Sequence, residues 1–125
     1  MQYPAIVKLV LEKGIDNVTV PEQIKFEALT EAGKLLLKEN RYEEAGKALY
    51  KAGNNEELIL LGDWLSQRER HKEASYFYRH CNNKEKIDTC GMDCMNLGYY
   101  REAKDLFGAS SNFQMITFLK ENFGV

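Results

Sequence analysis

The sequence predicts an all-α fold in which antiparallel helical hairpins repeat every 29 residues and stack as a short right-handed α-solenoid. Three features recur with this period: a glycine, a Glu-Ala pair and an asparagine. They occur at Gly33, Gly62 and Gly91, at residues 44–45, 73–74 and 102–103, and at Asn54, Asn83 and Asn112. A fixed period of about 20 to 50 residues is the signature of a solenoid, whose units bury their apolar faces only by stacking. This architecture favours binding over catalysis.

Three repeat units follow one another without gaps, and positions are counted from the first residue of each unit. The units span residues 26–54, 55–83 and 84–112. Positions 4, 7 and 11 hold Leu29, Ala32 and Leu36, then Leu58, Leu61 and Leu65, then Ile87, Cys90 and Cys94. Steps of three and four residues between small or apolar positions describe one face of an α-helix, which is the first helix of the unit.

The second half of each unit repeats this helical pattern over a shorter stretch. Positions 20, 24 and 27 hold Ala45, Leu49 and Ala52, then Ala74, Tyr78 and Cys81, then Ala103, Phe107 and Ser110. The same intervals predict a second amphipathic helix, so each unit is expected to be a helical hairpin.

Small and turn-forming residues predict how the two helices of a unit meet. The glycine at position 8 and the alanine at position 20 are expected to let the two backbones cross closely. A tight turn is expected between the helices, because Asn40 and Gly98 tolerate the left-handed conformation that ends a helix. Glu69 occupies the same position in the second unit, and the prediction of a turn is weaker there because glutamate adopts this conformation less readily.

The two ends of the chain depart from the repeat and are predicted to cap it. In residues 1–25, a short helix ends at Gly14, and a connector leads to Pro21 in the first turn of the next helix. Residues 113–125 keep the phase of the repeat, but Lys120 stands where the other units have glycine. This last helix is expected either to close the apolar end of the stack or to belong to a longer array cut after a half-repeat.

These units resemble tetratricopeptide repeats. That family places large apolar residues at positions 4, 7 and 11, Gly or Ala at 8, Ala at 20, an aromatic at 24 and Ala at 27, and residues 26–112 match at most positions. The family's units have about 34 residues, whereas these are shorter and lack proline. Such shortened units are similar to those in the α-solenoid arms of coatomer and intraflagellar-transport proteins. Sequence phrases similar to residues 41–45 and 51–54 recur in those arms. The resemblance implies a binding scaffold.

Composition and charge argue against several classes of partner. The chain has 125 residues, 44% hydrophobic and 29% charged, as in an ordinary globular protein. Its formal net charge of -2 supplies no electrostatic footprint for nucleic acid or anionic lipid. No apolar stretch fits a signal peptide or a membrane span. Three cysteines in a domain of this size indicate free thiols, so we expect an intracellular, cytoplasmic protein without membrane insertion.

Cys81, Cys90 and Cys94 lie near His71 and His80 in sequence and suggest a metal- or thiol-dependent function, because thiolates and imidazoles are common zinc ligands. The repeat favours another role. These cysteines occupy positions that hold small or apolar core residues in the other units, and free cysteine behaves as a small hydrophobe. We therefore expect core packing without metal or cofactor, and a metal or thiol function is the alternative.

Catalytic motifs are absent from the sequence, and we expect a protein that is not an enzyme. Aromatic residues at 76–78 and 99–100 are interleaved with basic residues and could stack single-stranded bases. Glutamates among them make the local potential nearly neutral. An RNA-binding helical repeat is therefore a further alternative.

In tetratricopeptide repeats, which these units resemble, partners bind in a concave groove. Residues at positions 2, 5, 9, 12 and 13 of the first helices line this groove. The candidate binding residues at these positions are Thr30, Lys34, Leu37, Lys38, Ile59, Asp63, Gln67, Asp88, Met92, Met95 and Asn96. Apolar groups mix there with lysines at one end and carboxylates at the other, which suits a peptide. The leading hypothesis is a non-catalytic module that binds a peptide or another helical protein, with self-association or stacking on further repeats also open. Alternatively, these residues only solvate the first helices or pack against a neighbouring helix.

Overall fold

The fold consists of eight α-helices joined by short connections, with no β-strand. The structure is a computed structural model and describes residues 1–125. The helices are α1 (Pro4–Lys13), α2 (Glu22–Lys38), α3 (Tyr42–Ala52), α4 (Asn55–Gln67), α5 (His71–Tyr78), α6 (Lys84–Asn96), α7 (Tyr100–Ala109) and α8 (Phe113–Phe123). A 3₁₀ turn (Ile15–Asn17) follows α1. The predicted all-α class is confirmed. None of the helices is both long and apolar enough to cross a membrane.

Helices that belong to the same predicted unit pack against each other: α2 against α3, α4 against α5, and α6 against α7. The second helices also form a layer, since α3 packs against α5 and α5 against α7. At the ends, α1 packs against α2 and α8 against α7. One continuous core of buried apolar side chains runs through these contacts, so each pair of helices shares its core with the next.

The core is formed largely by the positions that the helical periodicity predicts. Positions 4 and 24 are buried in every unit, at Leu29, Leu58 and Ile87 and at Leu49, Tyr78 and Phe107. Full burial of a large apolar side chain stabilises a fold by about 1.5–3 kcal/mol. The repeated apolar positions therefore contribute substantially to the stability of the fold.

In each unit, the turn between the two helices depends on one left-handed residue at position 15. Asn40, Glu69 and Gly98 have φ angles of 60°, 59° and 84°. This conformation lets the next N–H return to the end of the helix, as Arg41 N does to Leu36 O at 2.9 Å. All three turns form, although the left-handed conformation is sterically less favourable for Glu69 than for a glycine.

The recurring asparagine caps the first helix of the following unit. The side-chain oxygens of Asn54, Asn83 and Asn112 accept hydrogen bonds from the N–H groups of Glu57, Lys86 and Met115. Such a cap satisfies an otherwise unpaired helix donor and stabilises by about 1 kcal/mol. Asparagine thus recurs every 29 residues because a helix begins directly after it each time.

The recurring glycines lie against a side chain of the second helix of their unit. A Cβ at Gly62 would lie 2.5 Å from Cε1 of Tyr78, and one at Gly91 would lie 2.6 Å from Cε1 of Phe107. The sequence predicts that this glycine packs against the alanine at position 20. In the structure it packs mainly against the large side chain at position 24. The absence of a Cβ makes room for this side chain.

The second helices lie closer to one another than the first helices do. A Cβ on Gly46 of α3 would overlap the backbone carbonyl of Tyr76 on α5, so these two helices meet through their backbones. No comparable packing joins α2 to α4 or α4 to α6. Clefts therefore open between successive first helices, on the side where the sequence predicts a groove.

Side-chain contacts attach both ends of the chain to the neighbouring helices. The N–H of Tyr3, just before α1, donates to the carboxylate of Glu31 on α2 at 2.8 Å. At the other end, Leu119 of α8 is buried, and Phe123 stacks on Tyr100 with ring centroids 4.3 Å apart. Both terminal helices thus contribute to the core.

Candidate functional site

The candidate site is a cleft of about 480 Å³ between α2 and α4, named the α2–α4 cleft. It is lined by Leu37 of α2 and by Leu60, Leu61, Asp63, Trp64 and Gln67 of α4. Leu60 and Trp64 are 59% and 45% exposed, and their spacing places them on one face of α4. An apolar side chain of a partner could cover this pair and exclude water from it.

Arg68 packs on Trp64 one helical turn later. Its Nη1 donates a hydrogen bond to the carbonyl oxygen of Trp64 at 2.9 Å, and its Cζ lies 4.0 Å from the indole centroid. A cation–π contact at an exposed site contributes about 0.5–1 kcal/mol. The indole is therefore partly preorganised for contact with a partner, which lowers the entropy lost on binding.

Asp63 lines the cleft, but its carboxylate is already engaged. Its Oδ1 accepts hydrogen bonds from the hydroxyl of Tyr78 at 2.5 Å and from Nζ of Lys86 at 2.9 Å. Burial opposes ionisation of Asp63, but these two hydrogen bonds outweigh it and lower the pKa of the carboxyl group. Burial and the hydrogen bond to Asp63 raise the pKa of Tyr78. Asp63 thus joins α4 to α5 and α6.

A second cleft, of about 390 Å³, lies between α4 and α6 and is mainly polar. Its α6 wall includes Lys86, Thr89 and Asp93. Thr89 and Asp93 occupy positions 6 and 10, where α4 has Leu60 and Trp64. The apolar character of the α2–α4 cleft is therefore specific to the second unit and is not a property of the repeat.

The predicted binding residues at position 5 make contacts inside the protein. Thr30 Oγ1 accepts a hydrogen bond from Nδ2 of Asn54 at 3.1 Å, and the carboxylate of Asp88 accepts one from the hydroxyl of Ser110. Ile59 is half-buried and packs against the core. At Thr30 and Asp88, position 5 faces the residues that end the unit. These side chains are thus less available to a partner than the sequence suggests.

The other predicted residues divide between the cleft and the open surface. Leu37 and Gln67 line the α2–α4 cleft together with Asp63. Met95 is half-buried against the core. The exposed members are Lys34, Lys38, Met92 and Asn96. The structure therefore brings three of the predicted residues together in the lining of the cleft, and the others do not line it.

Reasoning from repeat positions expects Leu61 in the core at position 7, but this side chain is only half-buried and lines the cleft. Leu60 and Trp64 are cleft residues that such reasoning does not select at all. Positions 6 and 10 are not among those expected to line the groove, so the periodicity gives no reason to select them. A signal is nevertheless present in the sequence. Both are large and apolar where the third unit has Thr89 and Asp93, and Trp64 is the only tryptophan of the chain.

The three cysteines are buried and free. The thiols of Cys90 and Cys94 donate to the carbonyl oxygen of His71 at 3.6 and 3.4 Å. Hydrogen bonding with Cys94 and burial raise the pKa of Cys90, and burial raises the pKa of Cys81. Thiols of raised pKa stay protonated and react slowly at neutral pH. No group of three or more His, Cys, Asp or Glu side chains is arranged to hold a metal ion.

The aromatic residues that suggest RNA binding already have partners within the protein. Tyr76 lies against the guanidinium of Arg79 at 4.9 Å, and Tyr99 lies against the ammonium of Lys72 at 5.6 Å. Arg79 also pairs with Asp105 at 3.3 Å. These internal contacts leave fewer free ring faces and cations for bases and phosphates, which weakens the RNA-binding alternative.

Comparison of the chain with models of protein families, with curated proteins and with solved structures finds no match. The fold and the α2–α4 cleft therefore carry the functional argument.

Proposed function

We propose that this chain is a non-catalytic protein-interaction module of tetratricopeptide-like hairpins stacked as an α-solenoid, which binds a segment of a partner protein in the α2–α4 cleft. The exposed pair Leu60 and Trp64 beside this cleft carries the proposal. Ligand clefts commonly have volumes of about 300–1,000 Å³. Tryptophan is also enriched among the residues that dominate the energy of protein interfaces.

The repeated local structure supports the hairpin-repeat part of the proposal. The left-handed turn at position 15 and the asparagine cap recur in the same register, and the helices of each unit pack together. An array of this kind presents a preformed surface and can accept further units or another helical protein at its ends.

Asn54 supports the idea that the cleft is preformed. Its Oδ1 caps α4 by accepting from Glu57 N at 3.1 Å, and its Nδ2 donates to Thr30 Oγ1 on α2 at 3.1 Å. One buried side chain thus links the two helices that form the walls. A cleft whose walls are linked loses little conformational entropy when a partner binds.

The test uses Trp64 as a reporter, since it is the only tryptophan. Peptides are selected on the purified chain from a tryptophan-free phage-displayed library and are then titrated while the emission of Trp64 is recorded. We expect the selected peptides to shift this emission. Leu60→Arg should weaken their binding by at least about tenfold, because it places an unpaired charge in an apolar contact.

Leu97→Arg is the matched control, because Leu97 is 56% exposed and lies outside the α2–α4 cleft. This variant should bind like the wild type. Equal losses in Leu60→Arg and Leu97→Arg, or none in either, would place binding elsewhere. Failure of every selected peptide to change the emission of Trp64 would refute the proposal.

A further inference from the structure

We propose that the bound segment is acidic: one large apolar side chain enters the α2–α4 cleft, and aspartate or glutamate residues flank it. This inference rests on the proposed function and specifies the chemistry of its ligand. The asymmetric distribution of charge around the cleft carries it.

Unpaired cations border the α2 side of the cleft. Lys34 and Lys38 are exposed and take part in none of the ion pairs. Lys34 precedes the cleft residue Leu37 by three residues and Lys38 by four, so it is a surface neighbour of both on α2. Arg68 adds a guanidinium stacked on Trp64. Three positive charges therefore lie next to an apolar surface.

Carboxylates close to these lysines in the sequence, and the one in the cleft, have partners elsewhere. Glu31 of α2 accepts the N–H of Tyr3 at 2.8 Å, and the carboxylate of Glu39 lies 4.0 Å from Nη1 of Arg41. Asp63 is held by Tyr78 and Lys86, as described above. Lys34 and Lys38 are therefore available to a carboxylate from another molecule, and complementary charge would steer and orient that molecule.

The opposite side of α4 carries the reverse charge. The polar cleft between α4 and α6 includes Glu85 and Asp93, which would repel an acidic segment, and its lysine, Lys86, is already paired with Asp63. An acidic segment anchored at Trp64 would therefore extend toward α2 and not toward α6. The charges thus predict an orientation as well as a composition.

An acidic peptide fits this cleft better than a nucleic acid, which is also negatively charged. Leu37, Leu60 and Leu61 form aliphatic walls suited to an apolar side chain, whereas binding of single-stranded bases depends on free aromatic faces. Trp64 is the one aromatic residue in the cleft, and Arg68 stacks on it. Nucleic-acid binding is accordingly an outcome to be tested.

The experiment compares three tryptophan-free peptide sets that share a phenylalanine or leucine anchor. The anchor is flanked by Asp and Glu, by Ser and Gly, or by Lys and Arg, and binding is followed by the emission of Trp64. We expect the acidic set to bind at least about tenfold more tightly than the neutral set at low ionic strength. This preference should decrease as salt is added, because the lysines are exposed.

Charge-reversal variants show whether the lysines cause the preference. Lys34→Glu combined with Lys38→Glu should make the basic set bind more tightly than the acidic set. Lys104→Glu combined with Lys120→Glu changes the net charge equally, at exposed lysines on α7 and α8. This control should keep the wild-type preference.

Each outcome bears on a different part of the proposal. Equal binding of the acidic and neutral sets, or tighter binding of the basic set to the wild type, overturns the acidic ligand and leaves the proposed function standing. Tighter binding of a single-stranded, uridine-rich RNA than of any peptide overturns both. A lack of any change in Trp64 emission with every peptide set also overturns both.

Discussion

Gly62 of α4 lies against the ring of Tyr78 of α5, so that a Cβ at Gly62 would come within 2.5 Å of Tyr78 Cε1. Tyr78 is buried and its hydroxyl is tied to Asp63, so the ring has little freedom to move aside. We predict that Gly62→Ala lowers the free energy of unfolding by about 1–3 kcal/mol, because overpacking outweighs the better helix propensity of alanine. Urea denaturation followed by circular dichroism measures this loss.

Gly108→Ala is the matched control for this prediction. Gly108 also lies within a helix, α7, but apart from its chain neighbours and the backbone of its own helix nothing lies within 4 Å of the position of its Cβ. Alanine is therefore expected to stabilise the protein by about 0.5–1 kcal/mol at this site. Stabilisation by Gly62→Ala as well would contradict the observed packing.

Glu69 adopts a φ of 59° at a turn where the third unit has Gly98. A left-handed conformation costs a residue with a side chain about 1–2 kcal/mol, and glycine escapes most of this cost. We predict that Glu69→Gly raises the free energy of unfolding by about 0.5–1 kcal/mol. Gly98→Ala should have the opposite effect, and a destabilising Glu69→Gly would show that the Glu69 side chain has a stabilising role.

The hydroxyl of Tyr78 donates to the carboxylate of Asp63, which also binds Lys86. We predict that Tyr78→Phe lowers the free energy of unfolding by about 1–2 kcal/mol, because Asp63 loses one of two donors. Tyr50 is 59% exposed, so Tyr50→Phe should change the stability by less than about 0.5 kcal/mol. Thermal denaturation of the two variants at neutral pH compares them, and equal stability would argue against the hydrogen bond.

The stability of the protein is predicted to depend on pH through His80. Burial, with Arg79 and Lys47 nearby, lowers the pKa of His80 to about 4, whereas an unfolded histidine has a pKa of about 6.5. Between these values the unfolded chain binds a proton that the folded chain does not. Stability is therefore full above pH 6.5 and decreases as the pH falls toward 4. Since His80 is only partly buried, solvent screening limits the loss to about 1–2 kcal/mol.

Urea denaturation at pH 7 and pH 5 tests this pH dependence. His80→Phe keeps an aromatic ring that can stack on Tyr50, whose centroid lies 5.0 Å from that of His80. The variant should show a smaller difference in stability between the two pH values than the wild type. An unchanged difference would assign the effect to other groups.

Cys81, Cys90 and Cys94 are predicted to react slowly in the folded protein. All three are buried, and the pKa values of Cys81 and Cys90 are raised. Their labelling by a thiol reagent under native conditions should be at least about a hundredfold slower than in urea, because it requires local opening. Rapid labelling of any of them in the native state would favour the thiol-dependent alternative.

The helices were predictable because their determinants are local, although α5 ends at Tyr78 and does not reach Cys81 at position 27 as the periodicity predicts. Spacing of three and four residues defines an apolar face, asparagine caps the helix that follows it, and position 15 accommodates a left-handed residue. Each signal acts within about one helical turn. Because each signal recurs in three units, it can be recognised in the sequence.

The candidate site was predictable only in part. Leu37, Asp63 and Gln67 line the cleft as a groove prediction requires, but Leu60 and Trp64 stand at positions that a repeat-based argument does not select. The carboxylate of Asp63 is engaged by residues of α5 and α6. Such contacts join side chains that are far apart in the sequence, so no local sequence pattern predicts them.

The sequence by itself thus determined an all-α protein, the order of its helices, the turns between paired helices and most positions of its core. Tertiary structure decided where space is left between the helices. Backbone contact at Gly46 brings α3 and α5 together, whereas α2 and α4 remain far enough apart to leave a cleft. The physical reason is that helix formation depends on neighbours along the chain, whereas the width of a cleft depends on the packing of side chains from several helices at once.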